Sequence, residues 1–73
     1  MNEVKYAEEH YEDLNGKHHC LEYRLLVEAG QPCRYGVVVL DRNGDCARIR
    51  DLTTRRERAE QVLELLRRNL VTP

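Results

Sequence analysis

The chain has 73 residues, 41% hydrophobic and 34% charged, with a formal net charge of −1. That length allows one small domain over 1–73, which buries only about 60% of the surface its unfolded chain exposes. The composition is too apolar for a disordered tail and too charged for a membrane protein, and the net charge argues against nonspecific nucleic-acid binding.

Turn signals divide the first two thirds. Asn15-Gly16 and Asn43-Gly44 read as the two central residues of type I′ hairpins, and Ala29-Gly30-Gln31-Pro32 is a four-residue break between them. Three turns predict strands over 4–13, 18–28, 33–41 and 45–51. Residues 1–16 carry the first as an edge strand or frayed segment, and 17–51 form the body of the meander. Two-residue hairpins pair Leu14 with Lys17 and Arg42 with Asp45, and closure across 29–32 pairs Glu28 with Cys33. Counting outward puts Leu21, Leu40 and Ala47 on one face, with Tyr23, Val38 and Ile49, then Leu25 and Gly36. The first strand fits worst, because this register turns Glu8 and His10 toward the same core.

After Leu52 the hydrophobic period changes to 3.6. Thr54-Arg55-Arg56-Glu57 has the form of a capping box, and Ala59, Val62, Leu63, Leu66 and Leu70 form one stripe, predicting a helix over 54–69. Arg56 and Glu60, like Glu64 and Arg68, are spaced for ion pairs. Gly36 would admit this helix close to the sheet. The predicted fold is α+β: an antiparallel β-meander of three to four strands with one C-terminal α-helix across one face. Thr72-Pro73 has the pattern of a cap and first residue of a further helix. Either such a segment follows or Leu70 and Val71 tuck against the sheet.

Catalytic signatures are missing: the sequence has no G-x-S-x-G, Gly-rich phosphate loop or H-E-x-x-H, and the expectation is a protein without catalysis or cofactor. Cys20, Cys33 and Cys46 are odd in number and form no C-x-x-C pair, so they read as free thiols. The predicted register places Cys20, Asp41 and Cys46 on one row near His18, but two strand spacings of roughly 9–10 Å separate the thiols, and no metal set is expected. No span reaches the roughly 20 apolar residues of a membrane helix, and no basic-then-apolar leader opens the sequence. A cytoplasmic protein with no membrane partner is predicted.

Two surfaces remain. Leu26, Tyr35, Val37, Val39 and Leu52, interleaved with Glu22, Arg24, Arg48 and Arg50, make an apolar strip among charges on the predicted outer face, suited to a protein partner or homo-oligomer. Arg55, Arg56 and Arg58 crowd the start of the helix, where its dipole disfavours cations, and are candidates for anion binding. Asp51, Glu57 and Glu60 lie among them and temper the positive charge. The leading expectation is a noncatalytic interaction or regulatory module using the outer face; the alternative is a nucleic-acid-binding accessory protein using the arginine-rich junction.

The succession Leu21-Glu22-Tyr23-Arg24-Leu25, Tyr35-Gly36-Val37, Ala47-Arg48-Ile49-Arg50-Asp51-Leu52-Thr53-Thr54 and Asn69-Leu70-Val71-Thr72-Pro73 resembles a small family of uncharacterised bacterial proteins, over about two thirds of the chain. The resemblance implies this domain and a short acidic helical tail after the Thr-Pro, which this chain lacks. It implies no activity, catalytic residue or cofactor.

Overall fold

The computed structural model describes residues 1–73. Four strands, β1 (Asn2–Glu12), β2 (His18–Glu28), β3 (Arg34–Asp41) and β4 (Cys46–Thr53), precede one helix, α1 (Arg56–Arg68). They form an antiparallel sheet in the order β1-β2-β3-β4, with α1 across one face. The α+β meander is the architecture that the turn spacing predicts.

The register differs by one residue at all three connections, and turn chemistry is the reason at two of them. In the first hairpin the Gly16 N–H donates to the Asp13 carbonyl at 3.0 Å and the Asp13 N–H to the Lys17 carbonyl at 3.0 Å. Asp41, Gly44 and Asp45 repeat the pattern, with both bonds at 2.8 Å. Each loop therefore has three residues, Leu14-Asn15-Gly16 and Arg42-Asn43-Gly44, and only the glycine takes positive φ, 78° and 115°. The preceding aspartates fix this choice: Asp13 Oδ1 accepts the Asn15 N–H at 2.9 Å, and Asp41 Oδ1 accepts the Asn43 N–H at 3.0 Å. Between β2 and β3, Glu28 pairs with Arg34, not Cys33.

A one-residue slip reverses a strand's faces relative to its neighbour. Leu21, Tyr23 and Leu25 of β2 face the helix as expected, but their companions on β3 are Val37 and Val39 rather than Val38 and Leu40. On β1 the slip turns Ala7 and Tyr11 toward the helix side in place of Glu8 and His10, which removes the misfit of the first strand. The third slip, between β3 and β4, keeps Ala47 and Ile49 on the helix side, now opposite Val39 and Val37. Ala59 and Leu63 of α1 complete the buried cluster, with Tyr6, Ala7, Tyr11, Val27, Tyr35, Val62 and Leu66 packed around it.

Gly36 serves the sheet, not the helix. Opposite it β4 inserts Arg50-Asp51-Leu52, since the ladder passes from Val37↔Ile49 to Tyr35↔Thr53. A Cβ on Gly36 would lie 2.1 Å from the Ile49 carbonyl oxygen. Asp51 takes φ 55° within this bulge.

The helix begins later than the capping-box pattern predicts. Arg55 is its N-cap, without a side-chain cap bond, and the Arg55 N–H donates instead to Thr53 Oγ1 at 3.1 Å. At the other end Leu70 donates to the Arg67 carbonyl at 3.2 Å and Val71 to that of Leu66 at 3.0 Å, a Schellman motif with Leu70 at φ 50° where glycine is usual. The Tyr23 hydroxyl then donates to the Val71 carbonyl at 3.1 Å. Glu64 pairs with Arg67 rather than Arg68, and Arg67 also reaches Glu9 at 2.9 Å, fastening α1 to β1. The Tyr6 hydroxyl donates to the same Glu64 at 2.9 Å.

Candidate functional site

The expected outer-face strip does not assemble. Tyr35, Val37 and Val39 belong to the helix face, with Val37 and Val39 in the core. Glu22, Arg24, Leu26, Arg48 and Arg50 do share the outer face, but Leu26 and its neighbour Val38 are fully buried. Long ion pairs running across the sheet cover them. Arg48 of β4 reaches Glu3 of β1 at 2.6 Å, and Arg50 reaches Glu28 of β2 at 3.0 Å, so both side chains pass over the intervening strands. Arg24 joins Glu3 at 3.0 Å and also pairs with Glu22. The arginine stems are apolar and can roof leucine and valine while their heads meet carboxylates. These guanidinium groups hold Glu3 and Glu28 below the usual carboxylate range.

The arginine-rich junction divides in two. Residues 55 and 58 are three apart and share a helix side, whereas 56 is turned away. Arg55 and Arg58 line a cleft of about 400 Å³ with Leu52, Thr53, Thr54 and Val62. Arg56 lies outside it and pairs with Glu60 at 3.7 Å. The bulge at Asp51 carries Leu52, expected on the outer face, into the cleft beside Val62 of α1. Arg55 meets Glu57 at 3.0 Å, but Arg58 has no carboxylate partner, a condition it shares among the arginines only with Arg68. The cleft thus combines two aliphatic side chains, two hydroxyls and two guanidinium groups. It contains no nucleophile beside a base, and it suits binding of an anion with an apolar neighbour.

Two further clusters were not foreseen from sequence. His19 stacks on Tyr11 with ring centroids 4.8 Å apart. Its Nε2 meets Asp13 Oδ2 at 2.8 Å and its Nδ1 meets Asp41 Oδ2 at 2.9 Å, so one imidazole ties both hairpin loops together. The two carboxylates raise the His19 pKa, and hydrogen bonds from His19 and the loop backbone lower those of both aspartates. The repeated Asp-x-Asn-Gly of residues 13–16 and 41–44 is the signal that could have revealed this clamp. It also separates Asp41 from Cys20 and Cys46: Asp41 faces the helix side with His19. On the outer face, Glu8, His10 and Cys20 bring ligand-type atoms within 4.8 Å of one another.

The whole chain, residues 1–73, matches the model of a Family of unknown function (DUF6514). The chain belongs to this family. Membership takes in β1, beyond the stretch from Leu21 that carries the resemblance, so the complete sheet lies within the DUF6514 match. No curated protein and no solved structure matches the chain. No helix of this DUF6514 domain is long and apolar enough to cross a membrane.

Proposed function

We propose that this domain is a noncatalytic interaction module whose working surface is the cleft between the end of β4 and α1, and that it takes an acidic segment of a protein partner. The observation carrying this reading is Arg58, a guanidinium with no carboxylate of its own beside an aliphatic floor of Leu52 and Val62. Arg55 supports it from the same side, since its pair with Glu57 is exposed and easily exchanged. An acidic residue flanked by an aliphatic one satisfies both halves of the cleft. The outer face, with its charges mutually satisfied, serves solubility in this reading.

The test uses a fluorescent peptide of alternating leucine and glutamate, titrated with the full chain and read by anisotropy. Saturable binding that falls at least tenfold in Arg58→Glu supports the proposal. No saturable binding, or equal binding by Arg58→Glu, overturns it. Preference for a single-stranded oligonucleotide, with affinity falling steeply as salt rises, would replace it with the nucleic-acid reading.

A further inference from the structure

The β1-β2 hairpin gathers four metal-ligand side chains on the outer face, away from the α1 cleft. His10 and Cys20 are a directly opposed cross-strand pair. Glu8 stands two residues along β1 and His18 two residues along β2, so strand alternation puts all four on one side. His10 Nε2 lies 3.1 Å from Glu8 Oε2 and 3.9 Å from Cys20 Sγ. Tetrahedral zinc bonds of roughly 2.0–2.3 Å separate neighbouring ligand atoms by about 3.3–3.8 Å, and the two distances bracket that range.

The surrounding contacts orient these ligands. His10 Nδ1 meets His18 Nε2 at 3.2 Å, which leaves Nε2 aimed at Glu8 and Cys20. Glu8 Oε1 is held by Lys5 at 3.1 Å and Arg42 at 2.8 Å, while Oε2 is the oxygen beside His10. Cys20 is buried at 7% exposure and forms the floor, whereas His10 is exposed and leaves a path from solvent. A ring nitrogen bonded through its other nitrogen to a second polar group is the usual arrangement of a metal-bound histidine.

From this geometry we infer that Glu8, His10 and Cys20 form a binding site for a zinc-class divalent cation, with His18 positioning His10. Nitrogen, sulfur and carboxylate oxygen together favour zinc over calcium or magnesium. Binding converts the Cys20 thiol to thiolate and releases its proton to solvent. Three protein ligands leave a fourth position for water.

Cobalt(II) added to the reduced full chain reports the site through a thiolate-to-cobalt charge-transfer band and the visible bands of four-coordinate cobalt. One equivalent is expected to bind and to be displaced by zinc. Cys33→Ser and Cys46→Ser leave the spectrum unchanged, Cys20→Ser removes the charge-transfer band, and His18→Gln weakens binding about 10–100-fold. Since Cys20 is buried, Glu8→Gln provides a second variant: a loss of tenfold or more in affinity supports the site, and unchanged affinity overturns it. Absence of a band in the intact chain, or a band that persists in folded Cys20→Ser, also overturns it. The outcome is independent of peptide binding at the α1 cleft.

Discussion

Leu25 and Leu26 are consecutive, both essentially inaccessible at 2% and 0% exposure, and yet they are covered in different ways. Leu25 lies in the cluster completed by Ala59 and Leu63 of α1. Leu26 faces the opposite side, where arginines from β4 stretch across the sheet to carboxylates on β1 and β2. A helix provides a fixed, close-packed cover. A lattice of long side chains provides a cover that can collapse, rearrange and exchange partners. In a chain with 13 of 73 residues buried, the second means extends a thin core without adding an element.

The largest effect is expected where neither cover can adjust. Gly36→Ala sets a Cβ against the backbone of the β4 bulge, and we expect a loss of about 3 kcal/mol or more in urea unfolding. A near-neutral result would show that the bulge is free to move. The two leucines give the direct comparison. Leu25→Ala should cost about 3 kcal/mol and Leu26→Ala about 2 kcal/mol, because arginine stems can fold into the second vacancy. Equal losses would mean that the ion-pair lattice packs as rigidly as the helix.

The His19 clamp joins the hairpin loops at one end of the sheet, and its pH dependence follows from opposite shifts. His19 is raised above its ordinary 6.5, so its contribution is complete below that value and is lost as pH rises through the raised pKa. Asp13 and Asp41 are lowered from 3.8, so theirs is present above that value and is lost as pH falls through the lowered pKa. Unfolding midpoints should therefore be highest between about pH 4 and 6.5. His19→Gln should abolish the decline on the alkaline side; a midpoint profile identical to that of the parent would exclude the clamp as its source.

The smallest effect lies at the end of α1. Leu70 occupies a left-handed position that costs a side-chain-bearing residue about 1 kcal/mol, and Leu70→Gly should stabilise by about 0.5 kcal/mol after the added chain entropy of glycine. Thermal unfolding would reveal a loss instead if the half-exposed leucine contributes more by packing than its backbone costs.

The local code was sufficient for the order of elements. Asn-Gly turns, alternating strands and the stripe from Ala59 to Leu66 set four strands and a helix within a few residues of their observed limits. The arginines at the start of the helix were also legible, although only Arg55 and Arg58 line the cleft. Register was not legible in the same way. Asn-Gly fits both two-residue and three-residue loops, and the two differ by one position, which decides whether Ala7 or Glu8 meets the helix, while the same one-residue difference across 29–33 decides between Val37 and Val38. The poor fit of Glu8 and His10 to a core was the local sign of the slip. What placed His19 between two aspartates, opened the cleft beside Leu52 and brought Glu8, His10 and Cys20 together was strand pairing. Side chains far apart in sequence become neighbours only when the hydrogen-bonded ladder fixes which residues stand opposite one another.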